Sequence, residues 1–175
     1  MRKIVFILGG ARSGKSTFAL REASKAEGRK AFIATAQALD DEMLLRIDNH
    51  RKERGEDWTT LEEPLYISRL MNDVKDSYDV VLIDCLTLWV SNIMHTGFNI
   101  NQATDELIDA IPEDCPTLFY IVSNEVGMGI VPENELARNY RDNLGYVNRK
   151  VAEVATDVYF MAAGIPIKIK GVVEK

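Results

Sequence analysis

Gly9-Gly10-Ala11-Arg12-Ser13-Gly14-Lys15-Ser16 follows directly after an apolar run from residue 4 to residue 8 and matches the pattern G-x-x-x-x-G-K-[ST] of a phosphate-binding loop. The glycines let the backbone fold tightly enough to direct consecutive N–H groups at a β-phosphate. Lys15 supplies a cation for the β and γ oxygens, and the Ser16 hydroxyl can hold Mg²⁺. The stretch therefore predicts that these eight residues bind a nucleoside triphosphate, with Lys15 as a catalytic cation.

Short β-branched runs alternate with longer segments of helical periodicity along the chain. The strand candidates are Ile4 to Leu8, Lys30 to Ala34, Val80 to Asp84, Thr117 to Ser123, Val158 to Met161 and Ile165 to Ile169. Such alternation is typical of βαβ units, in which ligands gather at the carboxyl ends of parallel strands. The sequence predicts an α/β, single-domain P-loop NTPase-like fold over residues 1–175, with a mainly parallel sheet covered by helices on both faces.

The composition narrows the class of protein. The chain has 175 residues, 46% of them hydrophobic, and a net charge of −6, which argues against a nucleic-acid partner because such a partner needs a basic face. Cys85 and Cys115 are far apart and show no zinc or disulfide spacing. The first apolar run ends at Gly9, too early for a signal peptide or a membrane span. We expect a cytoplasmic protein.

Asp84 ends the apolar run from residue 80 to residue 83. A carboxylate at that position can lie beside a phosphate loop and hold Mg²⁺ or its waters, which makes Asp84 and Ser16 the predicted metal residues. The alternative is that Asp84 is the N-cap of the helix that begins near residue 86. No Asn-Lys-x-Asp motif is present, which disfavours a regulatory GTPase.

His50 lies between two arginines in a predicted helix that begins with acidic residues. Arg46, His50 and Arg54 follow one another at intervals of four and so share one helix face. Two guanidinium groups can grip a triphosphate while a neutral imidazole attacks phosphorus. From the pattern alone, a solvent-facing charged face is the more common interpretation, and a catalytic His50 is the alternative.

Several other features have weaker implications. Residues 101–111 have the periodicity of an amphipathic scaffold helix, and Glu133 to Thr156 form a helical stretch interrupted by Gly145. Trp58 and Trp89 are interpreted as core or subunit-contact residues. Glu125, in a glycine-containing loop, is either a polar substrate contact or a turn residue.

Six blocks along the chain together resemble one known family. They are the phosphate loop, Ile33-Ala34-Thr35-Ala36, Arg46-Ile47-x-x-His50-Arg51-x-x-Arg54, Trp58-x-Thr60-x-Glu62-Glu63-Pro64, Asp84-Cys85-Leu86-Thr87-Leu88-Trp89, and Ser123-Asn124-Glu125-Val126-Gly127-x-Gly129-Ile130-Val131-Pro132. In order and spacing they resemble the bifunctional adenosylcobinamide kinase / adenosylcobinamide-phosphate guanylyltransferase family, and the resemblance covers nearly the whole chain.

The resemblance implies two activities in cobalamin nucleotide-loop assembly. The first is phosphorylation of adenosylcobinamide, and the second is transfer of GMP from GTP to adenosylcobinamide phosphate through a histidine that maps onto His50. It also implies Mg²⁺ as cofactor, GTP and in addition ATP as substrates, and a homotrimer. Beyond the phosphate loop, the implied nucleotide contacts are Ala34, Thr35, Ala36, Arg51, Lys52, Glu53, Arg54, Glu62 and Asp84.

Two rival functions differ from this one in the reaction they predict. A phosphate-loop kinase for another small molecule transfers the γ-phosphoryl group and forms no covalent nucleotide. A non-catalytic nucleotide-binding or switch module binds tightly without turnover.

Overall fold

The computed structural model describes residues 2–37 and 54–172, and within these residues an α/β fold is present. The strands are β1 (Lys3–Gly9), β2 (Lys30–Ala34), β3 (Trp58–Glu62), β4 (Val80–Asp84), β5 (Leu118–Val122), β6 (Asp157–Ala162) and β7 (Ile165–Lys170). The helices are α1 (Lys15–Ser24), α2 (Ile67–Val74), α3 (Leu86–Thr96), α4 (Ile100–Asp109) and α5 (Glu135–Val154).

The strands form one sheet in the order β3-β2-β4-β5-β1-β6-β7. All neighbouring pairs are parallel except β6 and β7, which are antiparallel. Strand β5 lies between β1 and β4, and Val122 is level with Ile7 on one side and with Asp84 on the other. The ends of the phosphate-loop strand and of the Asp84 strand are therefore one strand apart on the same edge of the sheet.

Helices cover both faces of the sheet, because successive side chains of a buried parallel strand point to opposite sides. On one face Ile7 and Leu82 pack with Phe18 and Ala19 of α1. On the other face, strand residues such as Phe6 join apolar residues of the remaining described helices. The predicted fold class, with its mainly parallel sheet, is confirmed.

The structure differs from the sequence analysis at two elements. Strand β3 was not among the predicted strands, although it pairs with β2 along its whole length. Helix α5 is continuous, so the predicted interruption at Gly145 is wrong. A glycine costs about 1 kcal/mol in a helix interior, and the buried residues Leu144, Val147 and Val151 hold α5 on the core in spite of it.

Both tryptophans belong to the core, as predicted. Trp89 is 1% exposed, and its indole N–H donates to the carbonyl of Leu65 at 2.9 Å, which ties α3 to the segment before α2. Trp58 is 8% exposed and packs edge-on against Phe32 at a centroid separation of 6.4 Å. No helix among the described residues is long and apolar enough to cross a membrane.

The two tryptophans give a matched test of the core. Trp89→Phe removes buried volume and also leaves the Leu65 carbonyl without its donor, so we expect the free energy of unfolding to fall by roughly 2 kcal/mol. Trp58→Phe removes volume beside Phe32 only, for a loss of roughly 1 kcal/mol. Urea unfolding followed by circular dichroism measures both, and equal losses would contradict the assigned hydrogen bond.

Candidate functional site

The phosphate loop connects β1 to α1 at the carboxyl edge of the sheet. Gly14 precedes α1 with φ 87°, a left-handed conformation that a glycine adopts without steric cost. Its carbonyl accepts the first helical hydrogen bond, from Phe18 N at 2.9 Å. The first turn of α1 contains no acidic residue, so the positive end of the helix dipole faces the loop without a competing carboxylate. This arrangement is suited to an anion.

Gly9 is the point where the loop leaves the sheet. Its φ is 154°, and a Cβ atom built on it would lie 2.5 Å from the carbonyl oxygen of Met161 and 2.8 Å from Ser13 Oγ. Real Cβ atoms do not approach other atoms so closely, so only glycine fits between β1 and β6 here. Gly10, the next residue, has open space around the corresponding position.

Lys15 is buried inside its own loop. The side chain is 7% exposed, and its ammonium group donates to Gly10 O at 2.5 Å and to Ser13 Oγ at 3.4 Å. Burial lowers the pKa of Lys15 from its ordinary value, while the nearby Cys85 and Asp84 act in the opposite direction. A cation that has lost most of its hydration is stabilised by any phosphate that replaces the loop oxygens.

Asp84 is the last residue of β4 and lies level with Ala34 of β2. The N-cap of α3 is Cys85, whose own side chain makes no capping hydrogen bond. The N-cap interpretation of Asp84 is therefore wrong, and its carboxylate instead lines the cavity that contains the phosphate loop.

Thr35 fixes the residue that follows Asp84. Its hydroxyl donates to Cys85 O at 2.7 Å and accepts from Cys85 N at 2.8 Å, so its proton and one of its lone pairs are used within the protein. The Nδ2 group of Asn92 donates to Thr35 O at 2.9 Å and to Pro64 O at 3.0 Å. These side chains hold the ends of β2 and β4 and the segment after β3 in one fixed arrangement.

A cavity of about 520 Å³ joins most of the predicted residues. Those that line it are Ala11, Arg12, Ser13, Gly14, Lys15, Ser16, Ala34, Ala36, Arg54, Glu62 and Asp84. Gly9, Gly10 and Thr35 are not among the lining residues. Gly10 contributes its carbonyl to Lys15, and Thr35 contributes its hydroxyl to Cys85. The predicted residues His50, Arg51, Lys52 and Glu53 lie outside the described residues.

Arg54 forms a wall of the cavity far from the phosphate loop in the sequence. It is 8% exposed, with its guanidinium carbon 3.8 Å from the centroid of the Phe32 ring. One guanidinium nitrogen donates to Thr60 Oγ1 at 3.3 Å. Phe32 and Thr60 were not predicted as site residues, because the pairing of β2 with β3 is a long-range contact that the pattern of neither segment reveals.

The other lining residues that the sequence analysis missed are Thr17, Cys85, Thr87, Leu88, Val122 and Asn124. Their common signal is their position, at or just after the end of a parallel strand or in the first turn of the helix that follows. Burial raises the pKa of Cys85 to about 11, with the Asp84 charge as a smaller cause, so the thiol is protonated at neutral pH. Cys85 is thus an uncharged wall of the cavity.

The side chain of Glu125 stabilises the turn in which it lies. Its Oε1 accepts from the Gly127 amide at 2.5 Å, which supports the turn interpretation of this residue. Among the described residues there is no group of three or more His, Cys, Asp or Glu residues that could enclose a metal. The oxygen donors that line the cavity include Ser16 and Asp84, a set suited to Mg²⁺, which is usually bound by one or two protein oxygens, substrate phosphates and water.

Comparison with known proteins gives full-length similarity. Residues 5–169 match the family model of cobinamide kinase / cobinamide phosphate guanyltransferase. The bifunctional adenosylcobalamin biosynthesis protein CobP of Pseudomonas aeruginosa is 41% identical over 167 residues, covering 94% of this chain and 96% of that protein. The corresponding protein CobU of Escherichia coli is 39% identical over 183 residues, covering 95% and 99%.

Solved structures share the fold at low sequence identity. An ATPase from the type III secretion system of pathogenic bacteria superposes with a TM-score of 0.58 at 9% identity. The superposition covers 95% of this chain and 56% of that one. It supports the P-loop NTPase fold and carries no information on substrates.

The adjacent glycines test the geometry of the loop. Gly9→Ala forces β1 and β6 apart at Met161 O, so we expect a loss of roughly 2 kcal/mol in the free energy of unfolding and weaker nucleotide binding. Gly10→Ala meets no atom and is the control, with a loss below about 1 kcal/mol. Urea unfolding and titration with a fluorescent GTP analogue measure the two effects. Equal behaviour of the two variants would show that the contact with β6 does not constrain the loop.

Proposed function

Because the chain belongs to the cobinamide kinase / cobinamide phosphate guanyltransferase family, we propose that it phosphorylates adenosylcobinamide and then transfers GMP from GTP to the phosphate, giving adenosylcobinamide-GDP. The observation that carries the proposal is the single cavity that brings the phosphate loop, Asp84 and Arg54 together. A triphosphate binds there, with GTP as the nucleotidyl donor and GTP or ATP as the phosphoryl donor.

The nucleotide contacts proposed are residues 9–16, residues 34–36, residues 51–54, Glu62 and Asp84. The cavity supports most of this set, because it is lined by members of each group, and residues 51–53 lie outside the described residues. Thr35 is included as a support of the site, because its hydroxyl is held by Cys85 rather than directed at a ligand.

Ser16 and Asp84 are the residues proposed to hold Mg²⁺. Both line the cavity beside Lys15, and both offer the hard oxygen ligands that this ion prefers. When bound, the ion neutralises charge that develops on the phosphate oxygens during either reaction. The protein's own part is to keep Asp84 fixed through the Thr35 and Cys85 hydrogen bonds.

For the kinase reaction, the protein positions the two reactants and stabilises the negative charge on the phosphate oxygens. The hydroxyl oxygen of adenosylcobinamide attacks the γ-phosphorus in line, the bond from that phosphorus to the β–γ bridging oxygen breaks, and the hydroxyl proton passes to solvent. The loop amides and Lys15 stabilise the charge on the departing nucleoside diphosphate. No covalent intermediate is required.

For the guanylyltransferase reaction, His50 is the proposed nucleophile. Its neutral imidazole nitrogen attacks the α-phosphorus of GTP, pyrophosphate leaves, and a phosphoramidate forms. An oxygen of adenosylcobinamide phosphate then attacks the same phosphorus, which breaks the P–N bond and restores His50. Arg54 supports this assignment, because it lines the cavity and four residues of chain span at most about 14 Å.

We further propose a homotrimer that acts in the cytoplasm. The homotrimer follows the family resemblance of the sequence, and the cytoplasmic location follows the spacing of the two cysteines and the short first apolar run. Sedimentation equilibrium of the purified chain tests the oligomeric state.

His50 and Lys15 separate the two reactions experimentally. We expect the wild-type chain, incubated with Mg²⁺ and α-labelled GTP, to retain acid-labile and base-stable label, and His50→Ala to retain none. Phosphorylation of adenosylcobinamide persists in His50→Ala, whereas Lys15→Ala loses both reactions by a factor of about 100 or more. His95→Ala, which changes the exposed histidine near the end of α3, is the matched control and keeps both activities.

The labelling pattern decides between the functions. Label from the γ-position without label from the α-position would favour a phosphate-loop kinase without nucleotidyl transfer. Tight GTP binding without any transfer would favour a non-catalytic module. Equal loss of both reactions in His50→Ala would contradict the proposed division of labour.

Asp84→Asn tests the proposed metal residue. With Mg²⁺ present we expect turnover of both reactions to fall by a factor of about 100, because the ion loses its charged ligand. Without Mg²⁺, nucleotide binding stays the same or becomes tighter, because the carboxylate no longer repels the phosphates. Calorimetric titration with and without Mg²⁺ measures the two affinities, and Asp73→Asn on the exposed side of α2 is the control. A uniform loss of affinity in both conditions would argue against metal binding by Asp84.

A further inference from the structure

Asn124 lies just beyond β5, between the phosphate loop and Asp84. Val122 is level with Ile7 and with Asp84, and Asn124 comes two residues later. The next residue, Glu125, donates its amide to Gly9 O at 3.0 Å, which places this part of the chain directly beside the start of the loop.

The face on which Asn124 lies follows from strand alternation. Tyr120 and Val122 are buried on the face covered by α1, and residue 124 continues the same alternation. Helix α1 begins at the phosphate loop, so this face leads to the loop. Accordingly, Val122 and Asn124 both line the cavity that contains Lys15 and Asp84.

The backbone of Asn124 is held on both sides. Its amide donates to Thr87 Oγ1 at 2.7 Å, and its carbonyl accepts from Asn148 Nδ2 at 3.0 Å. Thr87 is in turn contacted by the Tyr140 hydroxyl, which donates to Thr87 O at 3.2 Å. Asn148 is 6% exposed, so these bonds are shielded from water. With its backbone groups paired, Asn124 has a side-chain amide that makes no hydrogen bond to the residues the structure describes.

A bound nucleotide supplies a partner for that amide. A phosphate loop cradles the α- and β-phosphates with its backbone, and its lysine reaches the β- and γ-oxygens, so the γ-phosphoryl group extends out of the loop. In this sheet, β5 lies between the strand that ends at Asp84 and the strand that leads into the loop. The chain continues from the end of β5 to Asn124, beside the loop. An uncharged amide can donate to a phosphate oxygen without adding charge to the site.

We propose that the side-chain amide of Asn124 contacts the γ-phosphoryl group of the nucleotide in the phosphate loop, and that Asn148 is a positioning residue that fixes Asn124 through its backbone carbonyl. The inference rests on the proposed use of the loop for a nucleoside triphosphate. It adds a substrate-contacting residue that distinguishes a triphosphate from a diphosphate.

The test compares two ligands in one protein. Calorimetric titrations use guanosine 5′-(β,γ-imido)triphosphate and GDP, with Mg²⁺, in a His50→Ala chain so that no nucleotidyl transfer changes the ligand. We expect Asn124→Ala to weaken the triphosphate analogue about tenfold, the effect of one hydrogen bond to a charged group, and to change GDP by less than about twofold. Asn148→Ala gives a smaller loss in the same direction. Asn101→Ala, at an exposed position of α4, is the matched control and changes neither affinity.

Each result decides the proposal. Equal weakening of both ligands, or no change in either, overturns the contact with the γ-phosphoryl group. If Asn124→Ala does not fold, Asn124→Asp replaces it, because aspartate keeps the shape of the side chain and places a carboxylate beside the γ-phosphate. The loss of affinity for the triphosphate analogue relative to GDP then exceeds tenfold if the contact exists. It is absent if the contact does not exist. If the parent chain binds neither nucleotide, both the Asn124 contact and the proposed function are overturned. If it binds the nucleotides but does not phosphorylate cobinamide, only the proposed function is overturned, because the titrations contain no cobinamide.

Discussion

The burial of the Lys15 ammonium at the end of β1 is the constraint on which the site depends. A desolvated cation needs oxygen partners, and in this structure they are Gly10 O and Ser13 Oγ of the same loop. The loop can present them only if Gly9 passes close to Met161 and Gly14 adopts a left-handed conformation. The packing of α1 on the sheet then fixes the helix end that completes the anion site.

Around this loop, polar side chains fix the ends of the other strands by bonding to backbone groups. The Thr35 hydroxyl donates to the carbonyl of Cys85, and the Asn92 side-chain amide donates to the carbonyls of Thr35 and Pro64. The Thr87 hydroxyl accepts from the backbone amide of Asn124. Loops at the carboxyl edge of a parallel sheet have no strand partner for these groups, so side chains satisfy them instead. The backbone positions of Asp84 and Asn124 thus depend on hydrogen bonds made by their neighbours.

Local patterns were sufficient for the elements that carry a motif or a continuous apolar run. The phosphate loop, β4 with its terminal Asp84, and the alternation of strands and helices all have a signal within about ten residues of sequence. Strand β3 lacks a comparable run, because its residues Trp58 to Glu62 mix polar and apolar side chains. Among the strands that the structure describes, β3 pairs with β2 alone. The contacts of Arg54 with Phe32 and Thr60 depend on that pairing and were missed with it. Thr35 shows the opposite difference. The family resemblance implies that it contacts the nucleotide, while only the structure shows that its hydroxyl is bonded to the backbone of Cys85.

The order of the strands bears on how one cavity can serve two reactions. The phosphate loop extends from β1, Asn124 follows the neighbouring β5, and Arg54 contacts Thr60 of β3 at the far edge of the sheet. A triphosphate held at its β-phosphate has two reactive phosphorus atoms, the γ-phosphorus at its end and the α-phosphorus toward the nucleoside. On the proposed function, the kinase reaction uses the groups around Asn124, and the guanylyltransferase reaction uses His50, which is covalently tethered to Arg54 by a short segment. One nucleotide site then suffices for both reactions. The two acceptors, a hydroxyl and a phosphate of the same cobinamide, differ only in their position relative to the bound nucleotide.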